Sequence, residues 1–252
     1  MERSSAARRR ARIVPKPSWA WLNRGGAALF RDKPALVDNA ETLTNVSAIF
    51  QRGVEWFSAA GTDSSKGSKV VTLSGTVVHG YTVEIPFGST LGDIVHNAGG
   101  GLPNSGSVKA VQVGGPTGMY LSTRDLSRDL GFDCFATAGS FAGLGSIEVI
   151  ANGTCAVEVM DSVMSYTQAQ SCGKCVFCRE GTLQISQILY DVARGEGGVG
   201  DLDLLVELAE AMKVSSLCDL GKSAARAVLS SIELFRHEYD VHAREKRCPL
   251  KS

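Results

Sequence analysis

The chain of 252 residues is 44% hydrophobic and 21% charged, which is ordinary for a soluble globular protein. It contains no run of 18 or more apolar residues, so the sequence excludes a transmembrane helix. The net charge is zero, but residues 1–33 hold nine Lys or Arg and two acidic residues, which leaves 17 basic and 24 acidic residues in the remainder. This acidic remainder lacks the basic face that nucleic-acid binding requires.

The first 33 residues form a basic leader that is rich in Arg and Ser and nearly free of acidic residues. Organellar transit peptides have this composition, although a disordered basic tail is the simpler interpretation. No apolar segment follows the arginines, which excludes a secretory signal peptide. If the leader is a transit peptide, we expect the protein in an organellar matrix.

Residues 34–60 carry a single helical pattern, because their apolar residues recur at spacings of three and four. The apolar residues of this pattern are Val46, Ile49, Phe50, Val54 and Phe57. The polar run at 61–69 then predicts a linker.

A strand-rich region follows, in which Ser89 is predicted to cap a short helix that ends in glycines near residue 100. The predicted strands are 69–77, 81–87, 108–115 and 145–152. Residues 116–143 show no assignable pattern. The order strand, strand, helix, strand predicts a small β-grasp-like module.

From Ala156 onward the chain is predicted to be helical, with Gly195 closing the second helix and Asp201 capping the third. The apolar stripes of the four helices are Val159, Val163 and Tyr166; Ile185, Ile188, Leu189 and Val192; Leu205, Leu208 and Met212; and Val228, Ile232, Phe235 and Tyr239. Short helices with short connections predict a four-helix bundle. The fold class expected for the whole chain is therefore α+β.

The run SCGKCVFCREG (171–181) places Cys172, Cys175 and Cys178 three residues apart. A structural zinc site usually takes two separate pairs of ligands, whereas a run of three cysteines with one remote cysteine is a common way to hold a [4Fe–4S] cluster. Gly173 allows the backbone to bend near the sulfurs. The spacing therefore predicts a [4Fe–4S] cluster.

Four other cysteines could supply the remaining ligand. Cys218 lies between the third and fourth predicted helices, a junction that a bundle returns to the end where the second helix begins. Cys248 competes with it because the following proline is also found after a ferredoxin cluster ligand. We expect Cys134 and Cys155 to be buried free thiols.

The segment HEYDVH (237–242) resembles the HExxH zinc motif with one residue too many. Its two histidines lie about 140° apart around a helix, so they cannot bind one metal ion on one face. We expect this segment to be a solvated helix end.

The block SCGKCVFCREGT (171–182), together with SLCDLG around Cys218 and FRHEYDVH (235–242), resembles the NADH-binding flavoprotein subunit of respiratory complex I. The related subunits of NAD-linked hydrogenases and formate dehydrogenases look the same here. Residues 33–46 are similar to the segment that follows the flavin domain in that family, and residues 69–121 resemble its soluble-ligand-binding β-grasp domain. One departure is Phe177, where the family usually has proline.

The resemblance implies a role for two sets of residues. The [4Fe–4S] ligands would be Cys172, Cys175, Cys178 and Cys218, and the segment that lines the flavin pocket would include Asn39, Glu41 and Thr42. FMN is implied only with a flavin domain encoded elsewhere, because no Gly-rich flavin loop and no NADH pocket precede Pro34. We therefore expect that the chain alone does not oxidise NADH.

The resemblance also implies an organisation and a set of partners. The expected parts are the leader (1–33), a helical junction with the flavin domain (34–60), the β-grasp domain with a connecting segment (61–152), the cluster-binding bundle (153–247) and a tail (248–252). The implied partners are a thioredoxin-like [2Fe–2S] subunit and a larger multi-cluster iron–sulfur subunit, and the implied location is an NADH-linked complex in the cytoplasm.

Two functions follow from these expectations. The first is an electron-transfer iron–sulfur subunit, or a truncated copy of one, that relays electrons from FMN through one [4Fe–4S] cluster in an NADH:acceptor oxidoreductase. The alternative is a non-catalytic iron–sulfur module that docks on a partner or senses electrons. Bound FMN and NADH-dependent reduction of an artificial acceptor would distinguish them.

Overall fold

The structure is a computed structural model that describes residues 29–30, 33–36, 38–132 and 145–251. Cys134 and most of the basic leader therefore lie outside the described residues. The chain divides into two compact units, Met1–Gln51 and Arg52–Ser252, and each is described by itself.

The first unit contains a two-stranded antiparallel sheet, in which β1 (Leu29–Phe30) pairs with β2 (Lys33–Pro34). Helix α1 (Ala40–Arg52) follows it and runs to the start of the second unit. The side chain of Asn39 caps this helix, because its Oδ1 atom accepts a hydrogen bond of 2.9 Å from the backbone N–H of Glu41.

The single helix predicted over residues 34–60 is wrong. Gly53 adopts a φ of +93°, which no continuous right-handed helix contains, and the chain restarts as α2 (Val54–Ser58). The apolar spacing of this segment continues across the break, so the sequence pattern gives no sign that the helix ends at Gly53.

The second unit contains a five-stranded sheet of order β4-β3-β7-β5-β6. Its strands are β3 (Ser68–Gly75), β4 (Thr82–Pro86), β5 (Val108–Val113), β6 (Met119–Ser122) and β7 (Ser146–Ala151). Strand β7 lies parallel to β3, whereas the other three pairings are antiparallel. Strand β6 lies in the region for which the sequence predicted no element.

A short helix covers part of the core of this sheet. Helix α3 (Leu91–Asp93) continues as a π-helical turn through Ala98. Its cap is Thr90, not the predicted Ser89, because the Thr90 hydroxyl accepts from the Asp93 N–H at 3.0 Å and the Asp93 carboxylate bonds back to Thr90. The buried side chains of this core include Val71, Leu73, Leu91, Ile94, Val95, Val111, Ile147 and Val149.

Four helices follow the sheet and share a second core. They are α4 (Ala156–Gln170), α5 (Val176–Ala193), α6 (Asp201–Ser215) and α7 (Asp219–Glu245). The fully buried side chains among them include Met160, Met164, Ile185, Leu189, Leu205 and Tyr239. The α+β class is therefore confirmed, while the four-helix bundle and the β-grasp module stay predictions.

The third of these helices does not begin as predicted. Gly200, not Asp201, occupies the capping position, and the Asp201 carboxylate instead accepts the N–H of Gly198 at 2.6 Å.

Among the helices in the described part of the chain, none has the length and apolar character that a membrane crossing needs.

The sheet packs on α7 through its β5–β6 edge. Tyr120 donates its backbone N–H to the Ser230 hydroxyl at 3.2 Å, and its ring meets that of Phe235 edge-on with centroids 6.3 Å apart. Lys109 forms an ion pair with Glu238, and both side chains are largely buried. Glu238 also accepts the N–H of Ala156 at the start of α4. These contacts hold α4 and α7 in a defined position on the sheet.

Candidate metal centre

The first cysteine loop leads into helix α5. Gly173 has a φ of +75°, which favours glycine, and the Arg179 guanidinium donates to its carbonyl oxygen at 2.9 Å. Cys175 occupies the capping position of α5, but its side chain makes no capping hydrogen bond. Cys178 lies in the first turn and is buried, whereas Cys172 is exposed.

The second cysteine loop joins α6 to α7 and contains Ser216, Leu217 and Cys218. Cys218 occupies the capping position of α7, again without a side-chain capping bond, and it is exposed. The start of α7 approaches the first loop so closely that a Cβ atom on Gly221 would lie 2.7 Å from Ser216 Cβ and 3.1 Å from Cys178 Cβ. The two loops therefore meet at the amino-terminal ends of α5 and α7.

Electrostatic interactions connect all four predicted cluster ligands. The backbone N–H of Leu217 stabilises the thiolate of Cys175 and thereby lowers the pKa of that thiol. Burial raises the pKa of the Cys178 thiol, and the nearby sulfurs of Cys175, Cys218 and Cys172 raise it further. The Ser171 hydroxyl, 3.6 Å from the Cys178 sulfur, acts in the opposite direction.

The residues around this site fit a [4Fe–4S] cluster. Four thiols is the usual donor set, and two of them stand at helix amino termini, where exposed N–H groups favour negative charge. In addition, the Ser216 hydroxyl is buried beside Cys178 without a hydrogen-bond partner among the described residues. Such an orphaned donor is explained if a polar group occupies the space between the two loops.

Sequence reasoning missed Ser216 and Leu217, although both directly precede the predicted ligand Cys218. Leu217 contributes a backbone group, for which the side-chain sequence carries no signal. A buried serine next to a cysteine that caps a helix is a weak signal that could have indicated Ser216.

The other described cysteines lie elsewhere. Cys155, His242 and Cys248 form a separate group whose ligand atoms all lie within 4.8 Å of one another. His242 contacts the Val192 carbonyl near the carboxyl end of α5, which at 1.5 Å per residue is roughly 25 Å from Cys175. The prediction of a solvated helix end is therefore wrong for His242, which is only 1% exposed.

The predicted flavin-pocket residues belong to the first unit. Asn39 caps α1, Glu41 is half-buried in its first turn, and Thr42 is exposed. Their role in flavin binding stays a prediction.

Residues 158–242 match the protein family described as the NADH-ubiquinone oxidoreductase-F iron-sulfur binding region. This range contains all four cysteines that meet at the ends of α5 and α7. The match supports the predicted [4Fe–4S] cluster.

Two curated relatives match 218 residues, or 86% of this chain. The NADP-reducing hydrogenase subunit HndC of Solidesulfovibrio fructosivorans is 37% identical, and the match covers 44% of its length. The F 2 subunit of the NADH-quinone oxidoreductase of Rhizobium meliloti is 36% identical and is covered over 52%. The chain thus spans about half the length of the relatives that it matches.

A solved structure shows the same similarity. A chain of the NAD+-reducing [NiFe]-hydrogenase in the H2-reduced state superposes with a TM-score of 0.76 and 32% identity, over 87% of this chain and 36% of that chain. Together with the family match, this shows that residues 158–242 are similar to the NADH-ubiquinone oxidoreductase-F iron-sulfur binding region, and that the chain as a whole is similar to part of the subunits that carry this region.

Proposed function

We propose that this chain is an electron-transfer iron–sulfur subunit, or part of one, in an NADH-linked oxidoreductase complex. Its [4Fe–4S] cluster is held by Cys172, Cys175, Cys178 and Cys218. The observation that carries this proposal is the meeting of the two cysteine loops, which lie so close that a Cβ atom on Gly221 would be 2.7 Å from Ser216 Cβ and 3.1 Å from Cys178 Cβ. A [4Fe–4S] cluster accepts and releases one electron at a time.

The protein contributes orientation and charge to this site. Cys175 and Cys218 extend from the first positions of two helices, whose N–H groups and dipoles favour the thiolate form and the net negative charge of a thiolate-bound cluster. Burial of Cys178 holds one side of the site in the protein interior, while exposure of Cys172 and Cys218 keeps the other side near the surface. Electrons can therefore enter or leave on that exposed side.

Apolar residues that neighbour these cysteines in the sequence are exposed as well. Phe177 is 48% exposed and Leu217 is 79% exposed, and Val176 and Val214 are exposed as well. Exposed apolar residues next to a redox site are typical of a docking surface. We propose that the thioredoxin-like [2Fe–2S] subunit docks here and that a larger multi-cluster subunit receives the electrons.

The remaining parts of the chain are assigned by the same proposal. The sheet of the second unit is a β-grasp domain of the soluble-ligand-binding type, and α4 to α7 are a four-helix bundle. Asn39, Glu41 and Thr42 complete one side of an FMN pocket whose other parts belong to a flavin domain. The location proposed for the complex is the cytoplasm.

The proposal is tested by loading the chain with iron and sulfide without oxygen and by mixing the reduced protein with the purified [2Fe–2S] partner. We expect about four irons per chain, an EPR signal on reduction, and transfer of that signal to the partner. If the cluster forms but exchanges no electrons with the [2Fe–2S] subunit, the relay function is wrong and a sensing role is favoured. If no cluster forms, the ligand assignment also fails.

A further inference from the structure

Cys155, His242 and Cys248 bring one nitrogen and two sulfur atoms together at the carboxyl ends of α5 and α7. The Cys155 sulfur lies 3.2 Å from Nε2 of His242, and the ligand atoms of all three residues lie within 4.8 Å of one another. Cys155 and His242 are buried and Cys248 is half-buried. Cys155 stands at the capping position of α4 and makes no capping bond, so its sulfur is available for another role.

The contact made by Nδ1 of His242 determines whether its Nε2 atom can bind a metal ion. Nδ1 lies 3.3 Å from the backbone carbonyl oxygen of Val192. A carbonyl only accepts, so Nδ1 carries the proton in this contact and Nε2 is left with a lone pair directed at Cys155. Histidines that bind metals commonly donate their other ring nitrogen to a carbonyl in this way.

The chain reverses direction to bring Cys248 to this place. Lys246 ends α7 in the left-handed conformation, with a φ of +56°. The turn packs tightly on Gly195, where an added Cβ atom would lie only 2.5 Å from the Lys246 carbonyl oxygen. Lys251 then forms an ion pair with Glu158 of α4, which fastens the residues after Cys248.

Two thiolates and one imidazole are a typical ligand set for zinc. With bonds of 2.0 to 2.3 Å, tetrahedral zinc holds its ligand atoms about 3.3 to 3.8 Å apart, so the observed group needs only a small contraction. The two thiolates neutralise the ion. Because Cys248 is half-exposed, a water molecule can complete the tetrahedron.

We propose that Cys155, His242 and Cys248 bind one zinc ion, at a site separate from the iron–sulfur cluster. The ion joins the start of α4 to the end of α7 and to the residues that follow it, and its role is to hold these segments together. This proposal does not depend on the electron-transfer function.

The test measures zinc and iron in the same full-length, cluster-loaded chain after dialysis against a mild chelator. We expect one zinc per chain in the parent protein. In Cys248→Ser, zinc affinity should fall by at least about 10- to 100-fold, because even the loss of a residue that only hydrogen-bonds to a metal ligand weakens metal binding by that factor. The iron content should be retained. In Cys218→Ser, the matched control at the other end of α7, iron should fall and zinc should remain.

Cobalt provides a second measurement that does not depend on how well the variants fold. Co²⁺ added to the zinc-free parent chain should give a thiolate-to-cobalt absorption band that zinc abolishes. The proposal is overturned if the parent chain neither retains nor binds zinc, or if Cys248→Ser retains it. It is also overturned if mass spectrometry of the protein purified without oxygen finds a Cys155–Cys248 disulfide.

Discussion

Gly221 at the start of α7 lies so close to Cys178 in the first turn of α5 that a Cβ atom added to it would be 3.1 Å from Cys178 Cβ. This close approach brings the start of α7 to the run of three cysteines before α5, although the two segments lie far apart in the sequence. The residues that pack between them provide the test of this arrangement.

Gly221→Ala tests that packing. The added methyl group would lie 2.7 Å from Ser216 Cβ and 3.1 Å from Cys178 Cβ, so the two loops must separate. Overpacking of this kind costs about 1–3 kcal/mol of unfolding free energy. We expect urea denaturation to show this loss and the iron content of the purified chain to fall.

Gly200→Ala is the control for this change. Gly200 also stands at the start of a helix, but no atom lies within 4 Å of the position of an added Cβ. Its stability and iron content should stay close to those of the parent chain. Equal losses in the two variants would show that the loops do not pack as described.

Ser216→Ala tests the orphaned hydroxyl beside Cys178. If this group donates to the cluster or its thiolates, removing it should make the reduced state less favourable. Loss of a hydrogen bond worth about 1 kcal/mol lowers a one-electron reduction potential by roughly 40 mV. A redox titration followed by EPR measures this shift, and an unchanged potential would show that the hydroxyl does not face the cluster.

Phe177→Ala tests the proposed docking surface. Removal of a central aromatic side chain from an interface costs about 2 kcal/mol, so the affinity for the [2Fe–2S] subunit should fall roughly 30-fold. The absorption spectrum of the cluster should not change. Leu183→Ala is the matched control, because Leu183 is similarly exposed on the same helix but on a different side. If Phe177→Ala instead destroys the cluster, Phe177 supports the site and not the interface.

Glu238→Ala tests the ion pair that connects the sheet to the helices. The change leaves Lys109 largely buried without its carboxylate partner and removes the acceptor for the Ala156 N–H. Breaking such a pair costs about 3–5 kcal/mol of unfolding free energy. The exposed pair of Lys213 and Glu210 provides the comparison, and Glu210→Ala should cost under about 1 kcal/mol in the same thermal or urea unfolding experiment.

Spacing in the sequence predicted the parts of this fold that depend on local periodicity. All four carboxyl-terminal helices and the four predicted strands are present, because burial of one face leaves a repeat of 3.6 or 2 residues. The position of Cys218 at the start of α7 followed from the same reasoning. The break at Gly53 did not, because the apolar spacing continues through a single residue of unusual φ.

Local spacing in the sequence could not predict the contact between His242 and Cys155, which lie in distant segments. The histidines of residues 237–242 were compared only with each other, as residues of one helix. His242 contacts Cys155 at the start of another helix, and tertiary packing brings these two residues together. Strand β6 was missed because its four residues are too few to show an alternation.

The central claim, that Cys218 is the fourth ligand of a [4Fe–4S] cluster, is tested most directly by iron analysis and EPR of Cys218→Ser and Cys248→Ser, both prepared without oxygen. We predict that Cys218→Ser loses the cluster or converts it to a form with fewer irons. Cys248→Ser should keep about four irons and the EPR signal of the parent chain. Loss of the cluster in Cys248→Ser together with an intact cluster in Cys218→Ser would contradict the account.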